Sequence, residues 1–135
     1  MSPRINTDIY IADTLGELGL FYRLCNIVFV GNSMHVKPGG GHNLLEPALL
    51  DCAIISGDDL HNFSILADEM PDAKACTIVK DTDALYNAIL NHIKNPDHVT
   101  QNSNNALAYA SDKQLKGLDS IITPLQPLLN DAKLI

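Results

Sequence analysis

The chain has 135 residues, 46% of them hydrophobic and 19% charged, with a formal net charge of -7. That length suits one sheet-and-helix core, and the composition is that of a folded globular chain rather than a disordered or fibrous one. The acidic balance excludes a general binder of nucleic acid or anionic membrane, which needs an excess of Lys and Arg, so any phosphate site has to be local.

Residues 1–7 form a polar segment without strand or helix pattern, which reads as a start joined to the interior of a longer gene. No apolar run approaches the ~20 residues needed to span a bilayer, and the opening lacks the apolar block of a signal peptide. The piece is expected to be soluble. From 8 to 95 short β-branched runs alternate with helical patterns. Runs 9–12, 27–31, 53–56 and 76–79 read as buried parallel strands, and 15–24, 44–50, 60–70 and 82–93 as helices. In the fourth helix Leu85, Ile89 and Ile93 recur every four residues as the inner face, and Asp81 or Thr82 caps the start. Residues 96–135 are expected to be a linker and a C-terminal helix. A polar connection over 95–105 contains Pro96; then Leu107, Ala110, Leu115, Leu118, Ile122 and Leu125 recur at helical spacing, weakened or kinked by Gly117, Pro124 and Pro127.

Strands alternating with helices imply right-handed crossovers and a Rossmann-like α/β fold, a parallel sheet with flanking helices. Such sheets bind ligands outside the carboxyl ends of their strands, which directs attention to loops 13–16, 32–43 and 57–62. Cys25, Cys52 and Cys76 are odd in number and lie in apolar stretches, as reduced core thiols of a cytoplasmic protein would. None has metal-ligand spacing. His35 and His61 read as loop histidines, and His92 and His98 as solvated bystanders. No G-x-S-x-G elbow is present, so no Ser, His and Asp nucleophile system is visible.

The longest loop ends in Lys37-Pro38-Gly39-Gly40-Gly41-His42-Asn43-Leu44-Leu45-Glu46-Pro47, a glycine run that empties into a helix. Glycines let backbone approach a ligand closely, and free N–H groups in a first helical turn attract an anion such as phosphate. Lys37 and His42 add charge and donors. Glu46 sits one turn in, where a carboxylate accepts from ribose hydroxyls, yet Asn43 and Glu46 also have the spacing of a capping box. Glu17 and Asp13 have plain readings too, as a first-turn acid and a helix cap.

The stretch Gly40-Gly41-His42-Asn43-Leu44-Leu45-Glu46-Pro47 resembles the GGHN-x-LEP signature of 3-deoxy-D-manno-octulosonic acid (Kdo) transferases, with Leu44 where many members have Pro. Asp13-Thr14-Leu15-Gly16-Glu17-Leu18, Tyr22 a turn later and the run 27–31 resemble that family's DTxGEL segment and following strand. Gly57 through Asn62-Phe63 resembles its GP-x-x-x-NF turn. Asp58 replaces the Pro after Gly57, Asn32 replaces a Gly before Ser33, and Lys37 stands where Arg is common. Asp58 and Asp59 would oppose an anion if they pointed inward.

The resemblance implies the C-terminal domain of a GT-B glycosyltransferase of lipopolysaccharide biosynthesis, with 8–95 as its nucleotide-sugar-binding core. Its donor would be CMP-Kdo, with no other cofactor and no metal. Gly16, Glu17 and Leu18 would contact the cytidine part, and Asn43, Leu44, Leu45 and Glu46 the phosphate and ribose. Gly41, His42 and the helix start would steady the departing phosphate in an inverting displacement, with Lys37 adding charge. The catalytic base and the site for the lipid A precursor would belong to an N-terminal domain working at the cytoplasmic face of the inner membrane. These 135 residues alone are then expected to transfer no sugar. Two other readings share the same residues: a UDP-sugar-dependent GT-B transferase or epimerase, and a non-catalytic flavodoxin-like module.

Overall fold

The computed structural model describes residues 6–35 and 37–131. In chain order it contains α1 (Leu18–Leu24), β1 (Ile27–Val30), α2 (Leu45–Leu49), β2 (Ala53–Gly57), a 3-10 turn (His61–Phe63), α3 (Ser64–Asp72), β3 (Thr77–Val79), α4 (Thr82–Lys94) and α5 (Pro96–Asp131). The three strands form one parallel sheet in the order β1-β2-β3, with Ile27 opposite Ala53 and Ile55 opposite Thr77. The expected α/β architecture is present. The central strand Ala53–Gly57 is buried along its whole length, as an apolar run between two parallel neighbours should be. Leu44, Ile54, Met70 and Ala106 fill the middle of the core.

Residues 9–12 do not form the expected first strand: Ile9 is 83% and Ile11 81% exposed. A strand exists by sharing backbone hydrogen bonds with a neighbour, and among the described residues 9–12 do not pair with β1, which ends the sheet. Tyr10 instead sets its ring 6.1 Å from that of Phe21. Helix α1 begins at Leu18 rather than at 15, because Gly16 takes a left-handed φ of +86° that no helix accepts.

The polar connection expected over 95–105 is helix. Asn95 ends α4, and Pro96 opens α5, a position where a missing N–H costs nothing. Val99, Asn102, Ser103, Ala106 and Ala110 are buried, so one face of this polar stretch packs on α2 and β2. The reason lies in Asn102. Its Oδ1 accepts from Ile54 N (2.9 Å), a donor on β2 just before the register with β3 begins, and its Nδ2 donates to the Lys74 carbonyl (3.2 Å). Past Ala110 the helix continues through Gly117, Pro124 and Pro127, with Leu115, Leu118, Ile121, Ile122 and Leu125 exposed. Among the described residues no helix is long and apolar enough to cross a membrane.

Asp81 is the cap of α4, its Oδ1 accepting from Ala84 N (2.7 Å). The inner face of α4 ends at His92, only 1% exposed, whereas Ile93 is 64% exposed. Seven residues make nearly two whole turns, so 92 returns beneath Leu85 while 93 rotates outward. His92 is therefore no solvated bystander. Its Nδ1 bonds the Ala88 carbonyl (2.8 Å) and its ring meets His98 edge-on at 4.7 Å. Cys52 and Cys76 are buried thiols as expected, but Cys25 is exposed.

Replacing Asn102 by Ala leaves the Ile54 N–H without an acceptor inside the protein, at a cost of about 1–3 kcal/mol. Urea unfolding should read that loss, and a change near zero would mean another group takes over. His92 gives a pH signature. Burial holds its pKa below the usual histidine value, His98 adds to the lowering, and the Ala88 carbonyl works against it. The unfolded chain then binds the proton more readily, so the His92 contribution is complete above about pH 6.5 and is lost as pH falls from there through the folded value. His92→Gln should flatten the fall in stability below about pH 6.5, and an unchanged slope would refute the assignment.

Candidate functional site

The loops at the carboxyl ends of β1 and β2 are built as one piece. Ser33 Oγ donates to the Val30 carbonyl (2.8 Å) and accepts from Gly57 N (2.8 Å), and the Ser33 carbonyl accepts from Asp59 N (3.0 Å). A Cβ on Gly57 would lie 1.8 Å from the Ser33 carbonyl oxygen, so only glycine fits. The glycine run docks on the same unit. Gly39, Gly40 and Gly41 have φ of +65°, +92° and +74°, and a side chain on Gly41 would strike Leu60. Gly41 N donates to the Asn32 carbonyl (2.8 Å), Asn32 Nδ2 to the Gly39 carbonyl (2.9 Å), and Asn62 N to the Gly40 carbonyl (3.2 Å). These glycines are buried, so they serve loop-on-loop packing rather than an open cradle for a ligand.

Both acidic residues of the third loop face histidines. Asp58 Oδ1 lies 2.7 Å from His35 Nε2, and Asp59 Oδ1 lies 2.7 Å from His61 Nδ1. The hydrogen bond from His61 holds the Asp59 carboxyl below the usual carboxylate range; burial opposes this, and the Gly40 amide assists it. The two charges are engaged inside the loop cluster.

Above this base a groove of about 610 Å³ opens between α1, the free edge of β1 and the turn into α2. Leu18, Phe21 and Tyr22 line one wall; His42, Asn43 and Glu46 line the other. Cys52 anchors the α1 wall, its Sγ donating to the Tyr22 carbonyl (3.1 Å) and the Cys25 carbonyl (3.3 Å), and burial pushes its thiol up to about 11. Burial, then the nearby Glu46 carboxylate and Cys52, also raises the Tyr22 phenol, so it stays a neutral donor.

The capping box is only half built. Asn43 Oδ1 accepts from Leu45 N (3.0 Å), while among the described residues no hydrogen bond or ion pair occupies the exposed Glu46 carboxylate. Glu46 is thus available to a ligand. Helix α2 has five residues, so it offers an anion a few N–H groups rather than a developed dipole.

Of the expected site residues, Leu18, His42, Asn43 and Glu46 meet in this groove. Leu44 is fully buried and Gly41 is buried with its N–H engaged, so both support the wall from behind. Leu45 lines two further hollows, which share Asn43, and in one case Glu46, with the groove. Gly16 shapes the turn before α1, and Glu17 accepts from the Thr14 hydroxyl there; neither lines the groove. Lys37 is exposed and lines none of these hollows. Phe21 joins from the helical pattern alone, and Lys113, which borders both hollows beside Leu45, gave no local signal.

The fold is a parallel α/β sheet with flanking helices, and its groove runs along the β1 edge to the turn into α2. No family model matches the chain. It is 32% identical over 129 residues to a 3-deoxy-D-manno-octulosonic acid transferase of Rickettsia prowazekii, covering 94% of this chain and 27% of that protein. It is 38% identical over 88 residues to the transferase of Haemophilus influenzae, covering 64% of this chain and 20% of that one. Among solved structures it matches the C-terminal CMP-Kdo binding domain of WaaA from Acinetobacter baumannii, with a TM-score of 0.69 and 37% identity over 74% of this chain and 51% of that chain. The chain belongs to the Kdo transferase family and corresponds to its C-terminal domain. It spans about a quarter of the length of the curated relatives it matches, 27% for the first.

Gly57→Ala tests the base of the site. With its new methyl aimed at backbone the strand ends must separate, costing about 1–3 kcal/mol or more. Thermal melting should show that loss, and a variant as stable as the parent would show that the Ser33 contact is loose.

Proposed function

We propose that this chain holds CMP-Kdo, the donor of a Kdo transferase that glycosylates a lipid A precursor at the cytoplasmic face of the inner membrane. The observation that carries the reading is the groove, which joins Leu18 and Tyr22 from the DTxGEL side to Asn43 and an unengaged Glu46 from the GGHN side. The likeness to a CMP-Kdo binding domain supports the same ligand. The cytosine ring enters between α1 and the β1 edge, Glu46 accepts from the ribose hydroxyls, and the phosphate lies against Asn43 and His42. The carboxylate base and the acceptor cleft belong to the remainder of a full-length transferase. Neither the UDP-sugar reading nor the interaction-module reading gains support from the relatives.

On its own the chain should bind CMP weakly, because half a cleft covers less of the ligand. Glu46→Ala should lower CMP affinity roughly tenfold to a hundredfold, the equivalent of charge-assisted hydrogen bonds worth about 1.5–3 kcal/mol, while the melting temperature holds. A fall in melting temperature with CMP still bound would make Glu46 a structural residue. Equal or tighter binding of UMP and UDP would reject the donor, and Kdo transfer by the chain alone would place the base within it.

A further inference from the structure

Three hollows meet at the turn 43–46, and Asn43 borders all of them. The first is the groove assigned to the nucleotide. The second, about 450 Å³, opens toward Asn62, Phe63 and Lys113; the third, about 420 Å³, lies between Leu45, Glu46 and Leu49 of α2 and Ala110 and Lys113 of α5, so Glu46 borders the third as well as the first. Lys113 is the single Lys or Arg that borders any of the three among the described residues. Its ammonium is also held in place. It lies 2.6 Å from Glu69 Oε2 and 5.6 Å from the centroid of the Tyr109 ring, while the Tyr109 hydroxyl donates to the same Glu69 oxygen (2.6 Å).

We infer that Lys113, with Asn43 and Asn62, forms the subsite for the acidic sugar of the donor and sets the preference for a sugar acid over a neutral sugar. This rests on the nucleotide reading above. A nucleotide joined to a sugar acid carries two anionic groups, the phosphodiester and the sugar carboxylate. With the ribose at Glu46 and the phosphate at Asn43, the sugar passes over the turn into the hollows beyond. There Phe63 offers an apolar face to the ring, the Asn62 amide offers polar atoms to hydroxyls, and Lys113 offers a cation to the carboxylate. Part of the Lys113 charge is offset by Glu69, and the remainder is the positive charge at these hollows among the described residues.

The competing role for Lys113 is a structural ion pair between α5 and α3, and Glu69 separates the two. If the pair is structural, Lys113→Met and Glu69→Gln both break it and act alike. If the ammonium binds ligand, removing it weakens the donor whereas neutralising Glu69 does not. Calorimetric titrations of the full chain with CMP and with CMP-Kdo should show tighter binding of CMP-Kdo. Lys113→Met should weaken CMP-Kdo about tenfold or more and leave CMP unchanged; Glu69→Gln should weaken neither. An equal loss in both variants, an equal loss for both ligands, or no loss in Lys113→Met would overturn the subsite. Failure of the parent chain to bind CMP would instead reject the nucleotide reading itself.

Discussion

The Gly57 amide and the Ser33 side chain and carbonyl share a space that admits no side-chain atom between them, and everything at the ligand end of the sheet is referenced to that contact. It ties the exit of β1 to the exit of β2, so the loops that follow cannot move independently. The glycine run then lies on the joined loops in left-handed turns, and His42 and Asn43 emerge from a base that is already packed. Preorganisation of this kind lowers the ordering cost of any binding at the groove. The glycines contribute by letting backbone meet backbone, and of the five residues after them His42, Asn43 and Glu46 line the groove.

Helix α5 supplies the second constraint. A three-stranded sheet is too small to bury both faces with its own connections, and the polar opening of α5 covers one of them through Asn102, which completes a hydrogen bond that β3 is too short to provide. The same helix carries Ala110 and Lys113 past α2 to the rim of the site. The residue that fixes the helix and the residue proposed to choose the ligand lie eleven positions apart, close to three whole turns, and so share a face.

The architecture was legible because apolar runs and helical spacings need only nearby residues to declare themselves. Strands 27–31, 53–56 and 76–79 appear within a residue of their expected bounds. What failed depended on distant partners. The run 9–12 has a strand's residues but, among the described residues, does not pair with the β1 edge, and 95–105 looks like a linker until Asn102 is matched with Ile54. His92 was misplaced by counting in fours when the face returns after seven. Of the motif residues, Leu18, His42, Asn43 and Glu46 line the groove, whereas Leu44 and Gly41 lie behind its wall, and Tyr22 lines the opposite side. Lys113 lies too far along the chain for any local pattern to connect it with Asn43.

An acidic domain that is to hold an anionic ligand must keep its own carboxylates out of the ligand's field. Asp58, which stands where the related pattern has Pro, would be a liability at the mouth of the glycine loop if it faced solvent alone. His35 lies within 2.7 Å of it, on the loop that Ser33 already fixes to the same strand end. His61 does the same for Asp59, with the Gly40 amide as a second donor. A carboxylate engaged by donors inside the protein is turned toward them, and its field is partly offset by theirs. Glu46 has no such partner and borders the groove directly. Loop packing and charge placement therefore act together: the contact that fixes the strand ends also sets which carboxylates are engaged within the loops and which one borders the groove unengaged.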